Sequence, residues 1–139
     1  MKITISFILV FCLLAGTELL AQEVDLTGSW TICEMTWNMG DEVNTTTEEQ
    51  MKTEGMTSEY HFKPEGKLTL VTNMAMGNPE LQTIEGTWRL DADKLITGLE
   101  RDGNLREITW DFEFKDGMFH LKRTSPDGSA TVVNSFKRL

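Results

Sequence analysis

Two histidines and a few carboxylates are the residues of this chain that could support acid–base or metal chemistry. His61 and His120 fall on the polar side of alternating runs, which predicts solvent exposure for both rings. Asp91 and Asp93 share a predicted turn that lacks the further oxygen ligands of a calcium loop. The motifs H-E-x-x-H, G-x-S-x-G and C-x-x-C do not occur, nor does a glycine-rich phosphate loop. The sequence therefore predicts no catalytic centre, no metal site and no cofactor.

Aromatic and thioether side chains are better suited to contact a ligand, because they adapt to apolar partners. Five of them are candidates, and some of these lie near strand ends that flank the two irregular connections, where binding sites form. The predicted ligand-binding residues are Trp37, Tyr60, Met74, Met76 and Trp110. Packing in a core is the competing interpretation; it is favoured for any one of the five, and more strongly for Trp30, Trp88 and Phe112.

The N-terminus is typical of a signal peptide. Lys2 precedes an apolar run over residues 3–15, which at 13 residues is shorter than the roughly 20 that a membrane span needs. We expect cleavage after Ala21, which leaves residues 22–139 as one exported domain, periplasmic or secreted. Cys33 is then the only cysteine, so no internal disulfide can form.

The net charge of −9 opposes binding to phosphate backbones. Residues 1–21 contain one basic and one acidic residue, so the exported chain keeps this charge. We therefore expect no nucleic-acid partner.

Alternation of apolar and polar residues with a period of two dominates the chain from residue 57 onward. Turn sequences such as Pro64-Glu65-Gly66 and Asp116-Gly117 separate the runs, and connections this short require antiparallel neighbours. About eight strands result, over 28–37, 57–63, 66–74, 82–90, 93–98, 105–114, 117–123 and 129–137. Eight strands can close into a barrel that is either filled or holds one small ligand. The predicted fold is all-β, a single antiparallel up-and-down barrel.

The longest connection, 38–56, is predicted to carry a short helix between the first two strands. Thr46-Thr47-Glu48-Glu49 fits a capping box, and the helix would extend to about Glu54. The connection could be a binding lid, but a plain surface loop is the favoured interpretation. The segment 73–81 could form another part of the barrel rim.

The facing of the first strand is ambiguous. If Trp30 points inward, strict alternation also turns Glu34 inward and leaves Cys33, Met35 and Trp37 outside. A bulge in mid-strand would repair this pattern, and so would a lid over the outer face. Both remain open from the sequence.

Three segments together resemble the bacterial lipocalin-like domain. They are Gly28-Ser29-Trp30, the run Tyr60-His61-Phe62-Lys63-Pro64-Glu65-Gly66-Lys67-Leu68-Thr69, and Gly86-Thr87-Trp88-Arg89-Leu90. The resemblance extends from about residue 26 to 137 and implies an exported calycin-type barrel. It further implies that Gly28 and Trp30 close one barrel end, with the Trp packed under a basic residue, Arg138 or Arg123.

These observations predict an exported, non-catalytic barrel that carries a small hydrophobic or amphipathic molecule. We expect a monomer without a membrane span. The alternative is a filled barrel that acts as a protein-interaction or envelope-associated module. An empty, apolar-lined cavity would separate the two.

Overall fold

The computed structural model of the protein describes residues 24–75 and 79–139. The predicted signal peptide, 1–21, and Met76 lie outside the described residues. The strands of the described part are β1 (Gly28–Met39), β2 (Glu42–Thr47), β3 (Ser58–Lys63), β4 (Lys67–Thr72), β5 (Gln82–Asp91), β6 (Lys94–Arg101), β7 (Asn104–Lys115), β8 (Met118–Thr124) and β9 (Ala130–Arg138). One helix, α1 (Glu48–Thr53), follows β2, and a short 3-10 turn, Pro64–Gly66, joins β3 to β4.

The strands form a closed antiparallel barrel, as the alternation predicted. Each strand from β3 to β9 pairs with the next, and β9 returns to β1 from Trp30↔Arg138 to Met39↔Ala130. The other edge of β1 is shared, because β3 pairs with its first residues and β2 with its last. β2 and β3 thus occupy one position of the ring end to end, which gives an eight-stranded wall.

The helix lies within the predicted connection 38–56, and it stands between the second and third strands because an additional strand precedes it. Residues 42–47, predicted as part of a loop, form β2 on the edge of β1 that β3 leaves free. The helix is capped by Thr47, whose Oγ1 accepts from Gln50 N while Gln50 Oε1 accepts from Thr47 N. The predicted capping box starting at Thr46 is therefore displaced by one residue. Met51, which is buried, anchors the helix to the barrel.

A β-bulge at Cys33 resolves the facing of the first strand. Ile32 pairs with Phe136, and the next paired residue, Glu34, faces Ser135, so Cys33 is the extra residue. Ile32 and Met35 consequently both point into the barrel. The carboxylate of Glu34, which strict alternation placed inside, lies on the exposed outer face. The thiol of Cys33 donates to Ser135 O at 3.3 Å.

Aromatic rings fill the half of the barrel where β1 begins and β9 ends. The Phe119 ring centroid is 4.9 Å from that of Trp30, 5.9 Å from Phe62 and 4.7 Å from Phe136. None of these four side chains is more than 2% exposed. Edge-on and stacked contacts at these distances are the favourable arrangements of aromatic pairs. This aromatic cluster is the packed core of that half of the barrel.

Candidate ligand-binding cup

Inward-facing side chains are more deeply buried in one half of the barrel than in the other. The strand register assigns every second residue to the inside, and in the aromatic half most of these residues are buried, although Trp88 and Phe112 are only partly buried and Phe114 is 41% exposed. In the other half Leu70 and Thr97 are buried, but many inward-facing residues are partly buried or exposed; they include Met35, Trp37, Ile84, Leu99, Ile108 and Val132. We call this open half the cup. Its wall is apolar and accessible to solvent, which suits a small apolar ligand.

The cup is open because two strand pairings stop short of the barrel end. Pairing of β5 with β6 ends at Gly86↔Leu99, so the first four residues of β5 have no partner on β6. Pairing of β7 with β8 ends at Asp111↔Lys122, so residues 104–110 of β7 have no partner on β8. We call the gap between residues 104–110 and the end of β8 the notch. The cup therefore has an opening in its side wall as well as at its mouth.

Two of the predicted ligand-binding residues lie on the inner face of the cup. Trp37 pairs with Val132, which pairs with Arg123 on the far side, and Trp110 follows on β7 one position beyond the last β7–β8 pair, Asp111↔Lys122. The Trp37 side chain is 42% exposed. Trp110 is partly buried, and its Nε1 donates to Thr97 Oγ1 at 3.4 Å. The two indoles thus flank one row of the barrel wall.

The other three predicted ligand-binding residues lie elsewhere or outside the described residues. Tyr60 belongs to the filled half, where its ring is stacked on that of Phe62 at 5.4 Å. Burial raises the pKa of Tyr60 to about 12. Met74 follows β4 and packs, partly buried, against the core. Met76 is outside the described residues.

The filled end of the barrel holds the residues that the family resemblance singled out for closure. The Arg138 guanidinium carbon lies 4.3 Å from the centroid of the Trp30 ring, and Trp30 Nε1 donates to Leu26 O at 2.8 Å. Arg138 also donates to Asp25 O and Thr27 O. Gly28 has a φ of 129°, which L side chains rarely adopt, and a Cβ there would also lie 2.9 Å from Arg138 Nη1, so a larger residue would displace the guanidinium. Of the two basic candidates, Arg138 makes the contact, whereas Arg123 faces the cup.

Asn134 is a polar residue of the cup that the sequence analysis did not single out. It pairs with Met35 on one side and Leu121 on the other, so it points inward. Its Oδ1 is buried and has no hydrogen-bond partner among residues 24–75 and 79–139. A buried acceptor without a partner costs free energy until a donor reaches it. The available signal was its position midway between Val132 and Phe136, which alternate with it at a period of two on one face of the last strand.

Comparison with known structures identifies similar folds. A lipocalin-like protein from Bacteroides uniformis is 15% identical with a TM-score of 0.50, and the match covers 84% of this chain and all of the other. An uncharacterized protein from Bacteroides eggerthii, also 15% identical, has a TM-score of 0.51 and matches 83% of this chain and all of its own. The fold of this protein is lipocalin-like. No protein-family model and no curated protein matches the sequence.

The outer face of this lipocalin-like barrel carries two serine–histidine pairs. Ser29 Oγ lies 2.7 Å from His61 Nδ1, and Ser135 Oγ lies 2.7 Å from His120 Nδ1. Glu59 approaches His61 Nε2 at 3.4 Å, which gives the first pair the composition of a hydrolase triad. Both pairs are direct register partners on adjacent strands, however, and Ser135 is only 5% exposed. The same contact at two separate places is what cross-strand neighbours produce, so we assign these pairs to the stability of the sheet.

None of the helices in residues 24–75 and 79–139 has the length and hydropathy needed to cross a bilayer. The same residues contain no group of three or more histidine, cysteine or acidic side chains that could hold a metal ion.

Proposed function

We propose that this protein binds and carries a small hydrophobic or amphipathic molecule in the cup, and that it does so without catalysis. The observation that supports this most directly is the contrast between the packed half of the barrel and the accessible apolar wall of the other half. Covering that wall would contribute about 25 cal/mol for each Å² of apolar surface removed from water. Trp37, Trp110 and Met35 would supply most of the contact.

Asn134 adds a buried hydrogen-bond acceptor to the proposed site. Its buried Oδ1 lies one row further into the barrel than Val132, between Met35 and Leu121. A ligand with a hydroxyl or N–H group that reaches this row would satisfy the acceptor. The proposed ligand remains a small hydrophobic or amphipathic molecule, and a donor group on it could be accepted by Asn134 Oδ1.

A second candidate function rests on the exposed apolar residues around the mouth. Met39 is 60% exposed, Val43 62%, Leu81 64% and Leu105 50%. Such residues favour contact with another macromolecule when they are contiguous. In this alternative the rim would dock a protein partner and the cup would have no ligand of its own.

We also propose that residues 1–21 are removed on export, and that the mature protein is a periplasmic or secreted monomer. Support comes from the sequence pattern alone. Mass spectrometry of the protein recovered from the periplasmic and extracellular fractions tests this proposal, with Gln22 as the expected N-terminus. Recovery of the uncleaved chain from the cytoplasm would refute it.

Ligand binding is best tested by filling the cup from one strand. Val132 points inward between Trp37 and Arg123, whereas its neighbour Val133 points outward. The probe is N-phenyl-1-naphthylamine, a neutral apolar dye that fluoresces when it leaves water. We expect saturable binding to the wild type, at least tenfold weaker binding to Val132→Trp, and unchanged binding to Val133→Trp.

The two variants add the same side chain to opposite faces of β9, so a general loss of stability would affect both. Equal binding by wild type and Val132→Trp would refute the cup as the site. Native mass spectrometry of the wild type provides a second readout, because a co-purified ligand would add a defined mass that Val132→Trp lacks.

A further inference from the structure

Charged side chains on the inner face of the cup have the opposite sign to the protein as a whole. Within the described strands of the open half, four inward-facing positions carry a charge: Glu42, Arg101, Arg106 and Arg123. Three are arginines, although the chain has a net charge of −9. The acidic surplus thus lies elsewhere, and the cup is a locally positive site on an acidic protein. Fields of this kind select ligands by charge.

Two of the arginines border the notch. Arg123 pairs with Val132 at the point where β8 separates from β7, so it lies at the base of the notch. Arg106 pairs with Leu99 and lies on the β7 side of the same gap. Both residues are exposed, and neither guanidinium group forms an ion pair or hydrogen bond with any residue of 24–75 or 79–139. Their guanidinium groups are therefore free to meet an anion that enters the cup.

On the outer face of the same strands, by contrast, two basic side chains form ion pairs. Glu107, next to Arg106 in the chain, points outward and forms an ion pair with Arg89 at 2.9 Å. Lys94 is likewise paired with Asp111 on the outside. This part of the sheet thus pairs two of its outward basic residues with carboxylates, whereas its inward arginines are unpaired among the described residues. Arginine presents a planar fork of donors that matches the two oxygens of a carboxylate.

We infer that the cup binds amphipathic anions, with an acidic head group between Arg106 and Arg123 and an apolar body against Trp37 and Trp110. This inference rests on the proposed carrier function and adds the chemical class of the ligand. Along β1 the cup extends from Met39 to Met35, about 13 Å at the rise of an extended strand. A ligand of this length would contact the arginines at the notch with its head group and the cup wall with its apolar body.

Three probes with one tail and different head groups test the charge preference: dodecanoate, dodecan-1-ol and dodecyltrimethylammonium, each below its micelle concentration. Displacement of N-phenyl-1-naphthylamine gives their relative affinities. We expect dodecanoate to bind about tenfold more tightly than dodecan-1-ol and the cation to bind most weakly. Raising the salt to about 0.5 M should reduce the preference for dodecanoate, because the guanidinium groups are exposed.

Arg106→Gln and Arg123→Gln identify the residues responsible. Each should lower the preference for dodecanoate over dodecan-1-ol by about threefold, an equal share of the tenfold preference and the size expected for one exposed charge pair. Lys122→Gln is the matched control, since it removes the same charge from the neighbouring residue, which faces outward. Binding of dodecan-1-ol serves as the control for folding.

The outcomes separate this inference from the proposed function. Equal binding of dodecanoate and dodecan-1-ol would refute the anion preference and leave the carrier function standing. Equal effects of Lys122→Gln and Arg123→Gln would also refute it, because the preference would then arise from net charge. Failure of all three probes and of the dye would refute both.

Discussion

Gly86 is the residue whose replacement should most directly disrupt the join between the filled half and the cup. A Cβ at this position would lie 1.9 Å from Gly98 O, 3.0 Å from Gly98 C and 3.2 Å from Leu99 Cα. Carbon and oxygen ordinarily approach no closer than about 3.3 Å, so β6 would have to move by more than ~1 Å. The obstacle is backbone, which cannot rotate away as a side chain can.

The cost of Gly86→Ala follows from two contributions. Overpacking a well-filled site costs about 1–3 kcal/mol. Displacing β6 would also weaken one or two ladder hydrogen bonds next to Gly86↔Leu99, at about 1 kcal/mol each. We expect a total loss of about 2–5 kcal/mol in the free energy of unfolding.

Gly98→Ala on the partner strand is the matched control. Its Cβ would meet Thr87 Oγ1 at 2.7 Å and the Leu105 methyl groups at 3.2 Å, and these side chains can move. Neither glycine has a positive φ, so conformational strain does not distinguish the two. We expect Gly98→Ala to cost less than about 1.5 kcal/mol. Urea unfolding followed by tryptophan fluorescence and circular dichroism measures both, and equal midpoints for the two variants would refute the reasoning.

Three further variants test the core, an ion pair and the closed end. Phe119→Ala should destabilise the protein by about 3–5 kcal/mol in urea unfolding, because the ring is fully buried; a loss below ~1 kcal/mol would contradict the packing described. Lys137 and Lys52 lower the pKa of Glu48 to about 2, so its contribution to stability is complete above pH ~4.5 and is lost as the pH falls towards 2. The difference in melting temperature between wild type and Glu48→Gln should shrink over this range in calorimetry, and a constant difference would refute the pairing. Arg138→Met should cost about 1 kcal/mol and change the emission of Trp30, and unaltered stability and emission would show that the contact contributes nothing.

Strand positions in the second half of the chain were predictable because their signals are local. The predicted strands 105–114 and 117–123 correspond to β7 (Asn104–Lys115) and β8 (Met118–Thr124). Alternation with a period of two defines each strand, and Asp116-Gly117 adopts the positive φ angles, 56° and 73°, that a tight hairpin needs. Both signals act between residues that are close in the chain, so no tertiary information is required.

The first third of the chain was harder, since its structure depends on distant partners. The bulge at Cys33 exists because Phe136 and Ser135 on β9 set the register of β1, a contact separated by about a hundred residues. Residues 42–47 have no apolar face that would mark a strand; they form β2 because β1 presents a free edge there. Local pattern predicted a helix in this region but not the residue at which it begins.

Alternation and turn residues in the sequence were sufficient to predict an antiparallel closed barrel, because the apolar and polar positions of each strand indicate which side chains face inward. Which part of the interior is packed and which is accessible was decided only in three dimensions. The pairings that end at Gly86↔Leu99 and Asp111↔Lys122 open the cup, and the register across β1, β9 and β8 brings Trp37, Val132 and Arg123 onto one inner row. These are relations between strands, and a single strand does not contain them.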